Sequence, residues 1–438
     1  MPELRPFRAL RYDVSSVGDL GDVVSPPYDV ISPARQQSLA RRHPRNVVRL
    51  DLPLDQAGDP PDERYRRAGR DLAAWRSEGT LRKDRLPAVY PYEQAYVVPG
   101  TGQPRVRRGF FARLRIEEFG PDSGVRPHER TLSAPKEDRY RLLRATGMNA
   151  SPVVLLAEDP DGEAMRALDA VCRLDTVADV TDDAGVRNRL WQLATDEAET
   201  ASLSSALLRA GSARPLTIAD GHHRYETALR YRDERRRERE YPEAEPFDYL
   251  LALIVPATQP LTILPTHRIV RDGLSGDALL DAARSLFDVE RLSGRDELLD
   301  AFSPQGPRPA EDHRIGAWTA GVGAVLHARS AAFEPLLDED ASPALRWLDV
   351  NLLAVALERL AGIGPRTAAG GGRIGYVKDA EQALGAVDRG EAGAAFLLDP
   401  TRLEDVLRIA AAGEVMPQKS TYFFPKQLTG LVLNPHEW

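Results

Sequence analysis

The sequence predicts a mixed α/β (α+β) protein of more than one unit, and three observations carry that expectation. A short β-type run, Leu216-Thr217-Ile218-Ala219, ends at Asp220-Gly221 and passes directly into a strongly helical, charged segment. From Gly375 onward the pattern reads strand, helix, strand, helix at 375–377, 380–387, 394–398 and 403–411. The length of 438 residues exceeds what one hydrophobic core usually serves, so two or three units are expected.

Taken in order, Val23-Val24 and residues 46–50 read as short strands, and between them Pro26-Pro27 fixes a rigid turn at Tyr28-Asp29. Tyr65 to Trp75 has the spacing of an amphipathic helix. Residues 88–98 and 105–116 read as the strands of a hairpin, joined by the turn-like Pro99-Gly100-Thr101-Gly102-Gln103-Pro104. A helix is expected at 138–145, with Arg139 at its start, and an apolar strand at 152–157. The span 161–210 is mostly helical in pattern and reads as an inserted or covering layer. After the Asp220 turn, Tyr225, Ala228 and Leu229 mark a buried helical stripe, while the interleaved Arg230, Arg232, Glu234, Arg235, Arg236, Arg237 and Glu238 read as a solvated face. Residues 249–255 read as a buried strand with 262–268 as its neighbour, and 300–315 as a linker or surface loop. The expected division is an N-terminal α/β domain over 1–240, with 161–210 as its helical insertion, and a C-terminal α/β domain over 241–438 that completes the site.

Composition narrows the function classes. Hydrophobic residues make up 42% and charged residues 28%, which argues against extensive disorder or a fibrous repeat. The first residues lack the apolar stretch of a signal peptide and the longest apolar run, around Leu250 to Val255, is too short to span a bilayer, so no membrane partner and a cytoplasmic location are expected. A net charge of -8 and the lack of a helix-turn-helix or basic arm disfavour nucleic-acid binding. Cys172 is the only cysteine, which excludes a disulfide within the chain and a thiolate-rich metal site; its surroundings read as a helix interior. Only five of the 58 basic residues are lysine: Lys83, Lys136, Lys378, Lys419 and Lys426. A chain so biased toward arginine retains lysine where a compact ammonium serves a phosphate oxygen or a proton transfer, unless retention is chance.

Four segments concentrate reactive groups. At the strand-to-helix turn, Asp220 reads as an N-cap, Gly221 allows close backbone approach, and the free N–H groups of the first helical turn together with Arg224 form a cradle for phosphate or carboxylate. Read blandly, it is a capped helix with surface histidines. The stiff loop Arg126-Pro127-His128-Glu129-Arg130-Thr131 and the following Pro135-Lys136-Glu137-Asp138-Arg139 gather acid, base and cation, as an acid/base site needs and as a charged surface loop also would. In Met416-Pro417-Gln418-Lys419-Ser420-Thr421, a lysine beside two hydroxyls is similar to the end of a phosphate loop without its glycines. The fourth segment is the Pro26-Pro27-Tyr28-Asp29 turn.

Those four segments together resemble the bacterial and archaeal family known as domain of unknown function 1015, nearly end to end. The Asp-Gly-His-His-Arg turn is similar to the phosphate-binding turn of the superfamily containing ParB, sulfiredoxin and free serine kinases. That resemblance implies a ParB/sulfiredoxin-like nucleotide-binding core elaborated by insertions, with Gly221, His222, His223 and Arg224 on phosphate and Asp220 orienting the turn or touching Mg²⁺ or substrate. The function expected is a nucleotide-dependent phosphotransferase acting on a small hydroxyl compound such as free serine or O-phosphoserine, with ATP or ADP and Mg²⁺ as cofactors. His128 or Glu129 would accept the proton. Asp220 and Lys419 complete the expected catalytic set, Lys136, Arg139, Ser420 and Thr421 join the phosphate contacts, and Tyr28 and Asp29 meet the substrate. A metal-dependent phosphatase and a non-catalytic nucleotide-binding switch or adaptor stand as alternatives.

Overall fold

The computed structural model describes residues 1–438 apart from 130–132, 197, 274, 304–308, 310 and 365–371. Arg130 and Thr131 of the loop singled out above therefore lie outside the described residues. The architecture is mixed α/β, as expected. Its larger element is a ten-stranded sheet centred on the hairpin Ala88–Val97 and Pro104–Arg115, with Tyr90 opposite Phe111 and Gln94 opposite Arg107. On one side follow Tyr249–Pro256, Val153–Ala157, Leu216–Asp220 and Val125–Arg126; on the other stand Arg187–Leu190 and Ala178–Thr181. Tyr249–Pro256 is buried along its whole length, as a strand covered on both faces must be. Helices Glu163–Val171 and Ala198–Ser212 and the start of His222–Glu238 cover one face, packing Leu168, Leu207 and Tyr225 against Phe110, Leu155 and Ile218.

A second, six-stranded sheet is antiparallel throughout, in the order Phe287–Leu292, Val322–Ala328, Arg314–Thr319, Ala394–Leu397, His267–Val270 and Ile374–Val377. One apolar cluster runs from Tyr92, Val154 and Ala219 through Met416 and Phe423 to Leu326 and Phe396, so the two sheets share a core. Beyond the helix Leu403–Ala411 the chain runs back along earlier segments in two separate two-stranded sheets. Tyr422–Phe424 pairs with Thr262–Leu264, Asn434–Pro435 pairs with Met148–Asn149, and single bridges join Glu129 to Met416 and Ser25 to Thr429. This return brings Lys419 and Lys426 to the Asp220 turn.

Several local expectations are corrected. Residues 46–50 are not a strand: Val48–Asp51 is one helical turn, because Asn46 Oδ1 accepts the Val48 N–H at 3.0 Å while its Nδ2 donates to the Asp22 carbonyl at 2.7 Å. Val23 ends the short helix Leu20–Val23. The span 161–210 holds three strands between its two helices, since alternation over Ala178–Thr181 and Arg187–Leu190 hides in runs of four. Residues 262–268 do not adjoin Tyr249–Pro256; they divide between the pair with Tyr422–Phe424 and the second sheet. Tyr249–Pro256 is a central strand of the first sheet, and Asn434–Pro435 pairs with Met148–Asn149 in a two-stranded sheet of its own. Arg139 stands inside the helix Ser133–Thr146, and Cys172 caps the end of Glu163–Val171 with its thiol 3.6 Å from Glu93 Oε2. Among the described residues no helix is long and apolar enough to cross a membrane.

Candidate functional site

The strand Leu216–Asp220 is buried up to its last residue, and its pairing with Val153–Ala157 shifts register between Ile218 and Asp220. Such an irregularity re-aims the side chain that follows it. Gly221 then takes φ +94°, and a Cβ there would meet Arg224 Nε at 2.9 Å, so only glycine lets the guanidinium fold back over the turn. The helix His222–Glu238 begins at Gly221, not at a capping Asp220. The expected cap is overridden because the Asp220 carboxylate is engaged by two cations, Arg224 at 2.5 Å and Lys426 at 2.6 Å. Burial alone would raise its pKa; Lys426 and then Arg224 outweigh burial and hold the carboxyl well below the usual carboxylate range. Arg224 also donates to the Pro152 carbonyl, and its buried Nε has no partner among the described residues.

His128 and His222 pack edge to face with ring centroids 4.6 Å apart. The His128 Nδ1–H donates to the Ile218 carbonyl, which leaves Nε2 to accept the Thr421 hydroxyl at 2.9 Å. His222 Nε2 accepts the backbone N–H of His128 at 3.2 Å. Burial pushes His128 down to about 4 and His222 well below the usual imidazole value, so both are neutral struts joining three distant segments at neutral pH. His223 is half-buried at the mouth, and burial and then the Lys419 charge lower it.

Glu129 follows His128 in the bridge to Met416 and faces Lys419, whose backbone N–H donates to its carboxylate. Lys419 adopts φ +59°, a left-handed conformation uncommon for a side-chain-bearing residue outside functional turns. Its carbonyl accepts from Arg268 at 3.0 Å. Burial pushes the Glu129 carboxyl above the ordinary glutamate value against the opposing pull of Lys419. The site thus holds two half-buried carboxyl groups shifted in opposite directions.

Three further lysines border the same volume. Lys426 and Lys378 stand 4.5 Å and 3.4 Å from the Tyr422 ring centroid, and Lys136 pairs with Glu226 on the helix His222–Glu238. Lys378 comes from the second sheet, directly after Ile374–Val377, and sequence reasoning left it out of the site; lysine rarity was its one available signal. Partial burial and then Lys426 push its ammonium down to about 8.

Tyr28 and Asp29 form a one-turn 3-10 helix beside the site, where Asp29 is exposed and acts on Arg224, Lys378 and Tyr422. Three expected phosphate contacts are committed elsewhere. The Arg139 guanidinium stacks 4.1 Å from the Tyr28 ring centroid, pairs with Asp138 at 2.5 Å and is buried beside Asp51, so it holds the Tyr28 turn. Ser420 donates to the Pro417 carbonyl at 2.5 Å and closes its own turn, and the Thr421 hydroxyl serves His128.

The model of the family described as "Protein of unknown function (DUF1015)" matches residues 4–351. The chain belongs to that family. The match ends at Asn351, so Lys378, Lys419 and Lys426 lie beyond it. Comparison with curated proteins found no match. Among solved structures, a conserved hypothetical protein from Pyrococcus furiosus shares 11% identity at a TM-score of 0.36, covering 72% of this chain and 90% of that one. A free serine kinase in complex with AMP shares 12% at 0.36, covering 72% and 86%. SbnI with a C-terminal truncation, from Staphylococcus aureus, shares 10% at 0.36, covering 74% and 86%.

Proposed function

We propose that this cleft binds the phosphates of ATP or ADP at the Gly221 turn and moves a phosphoryl group to or from a small hydroxyl compound, with free serine and O-phosphoserine the first to test. The observation that carries the reading is the gathering of four of the chain's five lysines, Lys136, Lys378, Lys419 and Lys426, around one helix start in a protein that otherwise uses arginine. A helix N-terminus offers unpaired N–H groups and the positive end of a dipole, and phosphoryl transfer asks a protein chiefly for positioning and charge neutralisation.

Glu129 is the proton acceptor in this reading. Burial raises its carboxyl above the ordinary glutamate value and so makes it the stronger base, whereas both His128 ring nitrogens are taken and Asp220 is locked as an anion between two cations. Among the described residues no group of three or more histidine, cysteine, aspartate or glutamate side chains gathers to hold a metal. In the phosphotransferase reading Mg²⁺ would be held chiefly by the nucleotide's own phosphates. The test is phosphorus NMR of the protein with ATP, ADP or pyrophosphate and a panel of hydroxy amino acids. A new phosphomonoester signal that is lost in Glu129→Gln is expected. Calorimetric nucleotide binding with no transfer across the panel would turn the reading to a non-catalytic switch or adaptor, and absence of binding would overturn both.

A further inference from the structure

Lys378 stands out among the cations because the second sheet delivers it to a site otherwise built on the first. Its Nζ lies 3.4 Å from the centroid of Tyr422, a ring it shares with Lys426 at 4.5 Å. Two ammonium groups so disposed repel one another, and a pair is retained when an anion resolves the repulsion. The protein does not resolve it alone. Asp220 is the one carboxylate answering both Lys426 and Arg224, and among the described residues neither Lys378 nor Lys419 has an ion-pair partner. Asp29, the other acid acting on Lys378, sits on the exposed rim turn.

We infer that Lys378 and Lys426 together form the seat of a dianionic phosphate group, a phosphomonoester or the terminal phosphate of a nucleotide, and that the second sheet thereby contributes a binding residue to the site. The inference rests on the phosphotransferase reading and names where within the cleft the terminal phosphate sits. A phosphate carries nearly two negative charges at neutral pH and offers three acceptor oxygens, enough to meet both ammonium groups; a carboxylate carries one charge and leaves one cation unanswered. The Tyr422 ring lies within cation–π distance of both ammonium groups.

The charged groups facing Lys378 are Lys426, Asp29, Lys419 and Asp220, with Lys426 lowering its proton affinity and the two acids raising it. Since its charge is lost as pH rises through about 8, affinity for a terminal phosphate that has already lost its second proton, such as that of ADP, should fall across that range.

The test is calorimetric titration of the full chain with pyrophosphate, ADP and malonate between pH 7 and pH 9.5, for wild type, Lys378→Gln and Lys378→Arg, each checked by thermal melting. Wild type should bind pyrophosphate and ADP, and lose about tenfold in ADP affinity between pH 7.5 and pH 9.5. Lys378→Gln should start about tenfold weaker and stay flat, and Lys378→Arg should restore binding and remove the alkaline loss because arginine stays charged. Malonate should bind weakly and respond little to either variant. Wild-type binding of pyrophosphate and ADP that is unchanged in Lys378→Gln would overturn this inference and leave the phosphotransferase reading standing. Failure of wild type to bind either phosphate ligand would overturn both, and malonate binding as sensitive to Lys378 as pyrophosphate would replace the phosphate seat by a general anion seat.

Discussion

Asp220 and Glu129 are both half-buried carboxyl groups in one site, and they are held in opposite states. Asp220 ends a strand between two cations that touch it directly, Arg224 and Lys426, and these outweigh the cost of burial. Glu129 receives a backbone N–H and the more distant charge of Lys419, and there burial wins. The difference teaches that contact distance, not enclosure, sets which acid is a fixed anion and which is free to exchange a proton, the division an acid/base site needs.

The largest effect should come from breaking the Asp220 side. Asp220→Asn keeps the shape but strands Lys426 and Arg224 as uncompensated buried cations, for which about 3 kcal/mol of lost stability is expected from urea unfolding at pH 7. The pH dependence carries the sign. A depressed carboxyl stabilises the fold above its unfolded value near 3.8, and that stability is lost as pH falls through the lower folded value; the asparagine variant should lack this component of acid unfolding. An Asp220→Asn protein as stable as wild type would erase the contrast.

Glu129 should behave in the reverse sense. A raised carboxyl favours the fold fully below its unfolded value near 4.5 and loses that contribution as pH rises through the folded value, so Glu129→Gln should be at least as stable as wild type at pH 7. Its turnover should fall about a hundredfold or more, with loss of an acid limb lying above the ordinary glutamate value. Equal turnover for Glu129→Gln would remove it as the proton acceptor.

Arg224 ranks next. Arg224→Ala removes a charge-assisted contact worth about 1.5 to 3 kcal/mol and should weaken nucleotide binding at least tenfold by calorimetry. Because the guanidinium also ties Asp220 to the Pro152 carbonyl, some stability should be lost with it. Undiminished nucleotide affinity would mean that the cradle does not use Arg224.

How much of this was legible depended on the range of the interactions. The strand-to-helix change at Asp220-Gly221, the 88–116 hairpin and the C-terminal strand-helix order are local patterns and formed as read, apart from the cap at Asp220. The apolar run at 46–50 became a helical turn because the buried Asn46 amide is anchored to Asp22 and Val24 from an earlier segment, which no window on 46–50 can show. Within the site, the bare order of residues shows an aspartate before a glycine and predicts a cap; the arrival of Lys426 from some two hundred residues away changes its role. Lysine scarcity was the one long-range signal in the sequence. It pointed to Lys136, Lys419 and Lys426, while Lys378 was passed over because no motif surrounds it.

The smallest expected effect is the finest probe of the contrast, since Lys419 reaches the Glu129 side through both backbone and side chain. Its N–H holds the Glu129 carboxylate, its carbonyl accepts from Arg268, and its φ of +59° is a conformation that glycine adopts without cost. Lys419→Gly should preserve those backbone contacts and relieve strain, offsetting the added freedom of the unfolded chain to leave stability within about 1 kcal/mol of wild type. Lys419→Arg keeps the charge but exchanges a compact ammonium for a planar fork. If the ammonium meets phosphate, turnover should fall in both variants, further in the glycine one, with melting temperatures little changed. If Lys419 serves only to shape the turn, both should turn over as wild type does, and the Glu129 corner would then be tuned by backbone alone.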